Sequence, residues 1–327
     1  MGANKEVIEV LSPFGNGEPI HRMKICGLVS NLEDIFDFRE FGSSSEKPVG
    51  LLINCLHQDV IGDPNFIKVL SERAKYSVVM LMLADFYPTS IEYLQKWSEF
   101  VDIFLVPTPE MQKFIQIYTH KKVEVLIDPI DFGLMASEKK RSDITRGMRV
   151  VWFGYPESYG KSMSLFEGRL IEMHRTGEIQ FHIISKNDSY GESPTGFMHE
   201  YTPETFPGLI SHFDVCVLSH MPFDFSISTQ WKSENKAVLA INRGLPVIAS
   251  NTPAYQRLLK ACNQEEFLFS TKDELSTGLR KLMDPQERAR YLDASQDIIL
   301  KRYSAKRMSE DWLEIFLSAK LLKKSNQ

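Results

Sequence analysis

Cysteine is scarce in this 327-residue chain: Cys26, Cys55, Cys216 and Cys262, no two of them at metal-ligand spacing. That excludes a cysteine-built zinc module. Three of the four lie in apolar runs, which reads as buried free thiols in a reducing compartment. Long apolar runs are also missing. The longest, residues 77–84, is far short of the roughly 20 residues a membrane helix needs. The opening MGANKEVIEVLSPFG has no continuous apolar core after its lysine, so neither a signal peptide nor a myristoylation pattern is expected there. Basic residues are not in excess, and the net charge of −5 makes nucleic acid an unexpected partner. An anion site, if there is one, has to be made locally.

What the chain does have is alternation. Apolar runs without polar interleaving recur at 7–11, 49–56, 78–83, 101–107 and 123–127, separated by helix-period segments at about 20–29, 66–75, 90–100 and 109–118. This is the pattern of a parallel sheet covered on both faces. Residues 134–147, with Lys139, Lys140 and Arg141, interrupt it as a polar linker and solvated loop. The alternation then resumes. Strands are expected at 149–154, 179–185, 214–220, 245–250 and 267–270, with helices at 165–177, 204–213, 233–244, 253–261 and 273–283 and a helical run from 285 to 322. The reading is α/β, with two Rossmann-like doubly wound domains facing across a cleft. Residues 1–140 form the first domain and 141–303 the second. Residues 304–327 form a helix returning to the first, because Met308, Trp312, Ile315, Phe316 and Leu317 make an apolar stripe at helical spacing.

In open parallel sheets ligands bind beyond the carboxyl ends of the strands. The segment WKSENKAVLAINRGLPVIAS (231–250) follows such an end. Lys232, Ser233, Glu234 and Asn235 precede a helix whose N-terminal N–H groups and dipole attract anions. Ser233 suits an N-cap, with Lys236 where a capping box would have Glu. A capped helix beside a stray lysine and a phosphate cradle are both open on these residues alone. His57 and Asp59, and Asp85, follow two strands of the first half. His57 and Asp85 are candidate bases for an acceptor hydroxyl; Asp85 equally suits a helix cap. Gly15 and Gly17 fit a tight turn or a close backbone approach to substrate. His182 reads as a packed core histidine and His212 as a helix-end surface residue.

Three stretches in order, VVWFGYPESYGKSMS, DVCVLSHMP and KSENKAVLAINRGLPVIASNTPAY, resemble the nucleotide-sugar domain of GT-B glycosyltransferases, especially the retaining kind in family 4. The first half agrees with this: VLSPFGNGEP is similar to the family's glycine-bearing loop, and VDIFLVPTPEMQKFI with KKVEVLIDPID to its domain junction. The third stretch is similar to sugar-transfer proteins of surface polysaccharide synthesis.

The resemblance implies a cytoplasmic enzyme, at most peripheral at the inner membrane face. It would move a sugar from a nucleotide-diphosphate donor to a glycan or lipid-linked hydroxyl acceptor. No cofactor is implied, and no D-x-D motif indicates a bridging metal. The implied donor-site residues are Gly15, Gly17, Gly154, Lys161, Ser185, Tyr201, Lys232, Ser233, Glu234 and Asn235. Lys161 is equally readable as a solvated loop residue. The loops at 185–187 and 201–203 would hold the base. The chain departs from the family where two glutamates are usual: Trp231 and Leu239 stand there, and Ala84-Asp85 replaces a His-Asp pair. Ribose recognition must therefore differ, and Glu234 or Asn235 is the substitute. The departures also keep a non-catalytic GT-B-like binding subunit in view. A sugar-nucleotide epimerase is less favoured, since that family's own His, Arg and Glu set is not recognisable.

Overall fold

The computed structural model describes residues 5–13, 18, 21–54, 63–84, 86, 90–131, 147–186, 197–221 and 230–325. They form two compact units. Unit 1 comprises residues 1–132, 231–233 and 303–327, and unit 2 comprises 133–230 and 234–302. The linker expected at 134–147 lies outside the described residues apart from Gly147.

Unit 1 is built on a six-stranded sheet of β1 (Glu6–Leu11), β2 (Phe36–Glu40), β3 (Gly50–Ile53), β4 (Val78–Met82), β5 (Ile103–Val106) and β6 (Lys122–Val125), ordered β2-β1-β3-β4-β5-β6. Its pairings are parallel. Strands β3, β4 and β5 are buried along their whole length, which is why they read as unbroken apolar runs. After β1 comes a five-residue π turn, Arg22–Cys26, and then α1 (Gly27–Leu32). Helices α2 (Pro64–Ala74), α3 (Ile91–Ser98) and α4 (Pro109–Gln116) complete the crossovers. Asp63 caps α2 and Thr108 caps α4, each with proline in the first turn.

Unit 2 repeats the plan. Its sheet order is β12-β11-β10-β7-β8-β9, from β7 (Met148–Phe153), β8 (Ile179–Ser185), β9 (Met198–Glu200), β10 (Val215–Leu218), β11 (Val247–Ser250) and β12 (Leu268–Phe269). All five pairings are again parallel. The helices are α5 (Pro156–Arg175), α6 (Phe206–Ile210), α7 (Asn235–Asn242), α8 (Pro253–Ala261), α9 (Lys272–Lys281) and α10 (Pro285–Arg302).

The last helix, α11 (Ala305–Ser325), belongs to unit 1. Trp312 and Phe316 are fully buried and meet Phe36 edge-on at centroid distances of 6.1 and 5.5 Å. Gly50 makes room for this helix: a Cβ there would come within 2.8 Å of both Phe316 and Ile8. The expected helical run from 285 to 322 is thus two helices. The break falls at Tyr303-Ser304, where Ser304 Oγ accepts from the Arg307 N–H. Strands β2 and β9 were not expected. Both lie at sheet edges and are half-exposed, so their sequences FDFRE and MHE carry no continuous apolar signal.

Candidate functional site

A doubly wound sheet binds ligands where its strand order reverses. In unit 2 this point lies between β7 and β10. Gly154, directly after β7, has φ +156°, and a Cβ there would collide with Lys236 Nζ and approach Trp152 to 2.8 Å. Lys236 is the second residue of α7, and its ammonium lies 5.1 Å from the centroid of the Trp152 ring. Resting on an indole face fixes the position of the ammonium. Ser185, buried at the end of β8, donates to the Gly154 carbonyl at 2.7 Å. The Gly154 N–H donates to Ile184 O at 3.1 Å, and the Tyr201 N–H donates to Ser185 O at 2.9 Å. The ends of β7, β8 and β9 are therefore tied into one rigid rim around a bare glycine and an ammonium.

Opposite Gly154 on the same crossover, His220 follows β10. Its N–H donates to Ser250 Oγ at 2.8 Å, and its ring stacks on Tyr255 at 4.2 Å, with Tyr255 Oη 2.9 Å from Nε2. Burial raises the Tyr255 pKa strongly, so the phenol stays protonated. Glu234 is the N-cap position of α7, but its side chain makes no cap bond. The carboxylate is buried and accepts from Arg257 of α8 at 2.9 Å. Helix α7 therefore begins without a side-chain cap from Glu234 and with Lys236 in its first turn, and a helix start of this kind favours an anion.

In unit 1 the reversal lies between β1 and β3. Ser12 follows β1 and Asn54 follows β3. Asn54 Nδ2 donates to Ser12 Oγ at 3.3 Å, and Ser12 Oγ lies 2.8 Å from His21 Nδ1. Behind them the π turn sends two cations inward. Arg22 makes a two-pronged pair with Asp131 at 3.0 and 2.8 Å, and Lys24 meets Asp128 at 2.9 Å. All four are buried. Asp128 also accepts from Ser233 Oγ at 2.7 Å.

The residues expected from sequence fall into four groups. Gly154, Ser185 and Tyr201 are brought together at the unit 2 crossover, as above. Asn235 opens α7 beside them, and Glu234 is committed to Arg257. Lys161 is exposed within α5 rather than in a loop. Lys232 and Ser233 fall in unit 1 with Trp231. There the Trp231 ring stacks on Phe114 at 4.3 Å, its Nε1–H donates to Phe86 O at 3.0 Å, and its carbonyl accepts from Thr108 at 2.9 Å. Ser233 is accordingly not the helix cap: α7 starts one turn position later, and the serine hydroxyl is held by Asp128. Gly15, Gly17, His57, Asp59 and Asp85 lie outside the described residues.

Lys236 was missed as a site residue. Its signal was present in its place in the first turn of the helix, where a capping box would have put an acid. Of the thiols, Cys216 and Cys262 are buried and burial raises both pKa values, which suits packing rather than reaction at neutral pH. His182 is packed among Phe197, Phe213 and His199, with its pKa lowered to about 4 mainly by burial. Among the described residues no group of three His, Cys, Asp or Glu could hold a metal ion, and no helix is long and apolar enough to cross a membrane.

No protein-family profile matches the chain, and no curated protein is similar to it in sequence. Solved structures are similar in fold. A glycosyltransferase from Rickettsia africae superposes with a TM-score of 0.60 at 11% identity, over 97% of this chain and 99% of that one. An E. coli trehalose-6-phosphate structure bound with UDP-2-fluoro glucose gives 0.62 at 10%, over 97% and 99%. TarM of S. aureus, in complex with fondaparinux, alpha-GlcNAc-glycerol and UDP, gives 0.56 at 13%, over 81% of this chain and 55% of that one. The chain thus spans about half the length of TarM. At these identities the likeness is one of fold: two Rossmann-like α/β units of the GT-B glycosyltransferase type.

Proposed function

We propose that the protein is a glycosyltransferase that moves a sugar from a nucleotide-diphosphate donor to a hydroxyl acceptor. The observation that carries this is the convergence of Lys236, bare Gly154 and the uncapped start of α7 at the crossover of unit 2. The glycine lets the Lys236 ammonium and the Trp152 ring close against the backbone, and the ammonium and helix N–H groups meet the negative charge of a diphosphate. As the glycosidic bond breaks, charge grows on the leaving diphosphate. The Trp152 face and the Ser185–Gly154 tie hold the donors in place beforehand, so little reorganisation is needed. A lysine and backbone amides, rather than a divalent metal, supply the stabilisation in this reading. Unit 2 takes the donor, with the rim at Ser185 and Tyr201 beside the base, and unit 1 the acceptor. A retaining course is favoured, in which the leaving phosphate itself accepts the acceptor's proton and no protein base is required. A glycan or lipid-linked acceptor of surface polysaccharide or glycoconjugate synthesis, met in the cytoplasm at most at the membrane face, follows from the resemblance of the GLPVIAS segment.

The structural likeness to proteins solved with UDP or UDP-2-fluoro glucose supports testing uridine donors first. Calorimetry with UDP, GDP and the parent nucleosides, followed by release of sugar from UDP-glucose and GDP-glucose, tests the reading. Diphosphate binding with donor turnover supports it. Diphosphate binding without turnover under any acceptor favours the non-catalytic binding subunit, to which Trp231 and Leu239 in place of glutamates also point. No diphosphate binding rejects the transferase reading and leaves a subunit that binds a glycan or a partner.

A further inference from the structure

The crossover of unit 1 carries a hydrogen-bonded chain. Asn54 Nδ2 donates to Ser12 Oγ at 3.3 Å, and Ser12 Oγ is 2.8 Å from His21 Nδ1. A serine hydroxyl has one proton and can accept two bonds. With Asn54 on one lone pair, the arrangement that also pairs the hydroxyl proton within this chain points it at His21 Nδ1. Nδ1 is then the acceptor, and the ring proton sits on Nε2. Burial lowers the His21 pKa, which keeps the ring neutral near pH 7. Among the described residues Nε2 has no hydrogen-bond partner, and His21 is half-buried.

Two further observations single the place out. Asn54 is fully buried and its Oδ1 has no partner among the described residues, a desolvation cost that a merely structural asparagine would not need to bear. His21 also immediately precedes the π turn Arg22–Cys26, a backbone form concentrated at functional sites.

We propose that Ser12 and Asn54 are positioning residues that hold His21 as the Nε2–H tautomer, and that this N–H is a specificity-determining donor to a hydroxyl or phosphoryl oxygen of the substrate. The substrate half of this rests on the nucleotide-sugar reading above; the tautomer half does not.

The test uses the full chain with 15N-labelled histidine, followed by ring-nitrogen NMR at pH 7.5, with the His21 signals assigned by their loss in His21→Gln. The wild type should show an unprotonated Nδ1 and a protonated Nε2. Ser12→Ala should abolish that bias, and Ser12→Thr, which keeps a hydroxyl, should restore it. A wild-type ring protonated at Nδ1 overturns the relay, since Asn54 would then run the chain in reverse and leave Nε2 bare. Titration with UDP, GDP, UDP-glucose and GDP-glucose follows, with calorimetry in parallel. A shift of Nε2 with a diphosphate alone assigns a phosphoryl oxygen; a shift only with the sugar ester assigns a sugar hydroxyl. In either case His21→Gln should weaken that ligand about tenfold, the scale of one hydrogen bond. Binding by calorimetry with Nε2 unmoved overturns the substrate contact. If none of the four ligands binds, the nucleotide-sugar reading and the substrate contact fall together, while the tautomer result still decides the relay. Circular dichroism of each variant separates loss of the relay from loss of fold.

Discussion

The two crossover points share a scaffold and differ in how they treat charge. In unit 1 the cations Arg22 and Lys24 are buried against Asp131 and Asp128, and what reaches the rim is a neutral chain of amide, hydroxyl and imidazole. In unit 2 the acid, Glu234, is committed to Arg257, and the cation Lys236 lies on the face of Trp152 at a glycine. Buried, mutually compensated pairs fix geometry but attract little. An ammonium on an aromatic face beside a helix start lies where the helix dipole adds to its field. The same topology therefore yields one rim of neutral polar groups and one with a cation at a helix start.

The largest way to break the comparison is to unpair a buried charge in unit 1. Asp131→Ala removes the carboxylate that pairs with the buried Arg22 guanidinium and should cost about 3–5 kcal/mol, read as a lower denaturation midpoint. The double change Arg22→Met with Asp131→Leu should recover most of it. Recovery shows that the pair serves shape rather than attraction; a wild-type midpoint for Asp131→Ala would mean that the pair is not buried in solution.

Next in size is the anion rim. Lys236→Ala should weaken nucleoside diphosphate binding by about 1.5–3 kcal/mol and leave nucleoside binding unchanged. Equal losses for both ligands would place the lysine at the base or sugar instead.

A smaller effect separates the units by pH. His182 is held neutral by burial, with help from the positive fields of His199, His174 and Arg149, and its pKa is lowered from 6.5 to about 4. The folded state therefore binds fewer protons than the unfolded one. The stability His182 contributes is complete above pH 6.5 and is lost progressively as pH falls towards 4. His182→Phe should flatten the acid limb of the melting curve over that window. An unchanged limb would assign the acid loss elsewhere.

The smallest effect is the most discriminating. Lys232→Ala should weaken diphosphate binding less than Lys236→Ala does, since the half-buried Lys232 is grouped with unit 1 and Lys236 with unit 2. A loss equal to that of Lys236→Ala would put both lysines at the diphosphate, as expected from sequence for Lys232.

These contrasts track what the sequence could and could not say. The central strands were legible because burial on both faces leaves unbroken apolar runs, as in VVMLM and VCVL. The edge strand β2 was not, because FDFRE mixes acids with aromatics where one side faces solvent. Lys232 and Ser233 looked like the start of the helix because their residue types suit a cap. What moved the start was Trp231, whose indole finds Phe114 and the Phe86 carbonyl in unit 1 and carries its two followers with it. No local propensity encodes such a long-range preference. The Asn54–Ser12–His21 chain was equally silent, since 42 positions separate Asn54 from Ser12 and only the strand order joins them.

The three-part make-up of unit 1 has a bearing on how the chain is born. Translation delivers β1 to β6 first, yet the aromatic plug that seals one side of that sheet, Trp312 and Phe316, emerges last. Everything unit 2 needs is available before then. On the ribosome the second half can mature while the first waits with Phe36 and Ile8 uncovered, open to chaperones and to aggregation. A stop codon that removes α11 would therefore injure the opposite terminus of the polypeptide, and a nascent chain stalled at residue 302 should be protease-sensitive in its first third and resistant in its second.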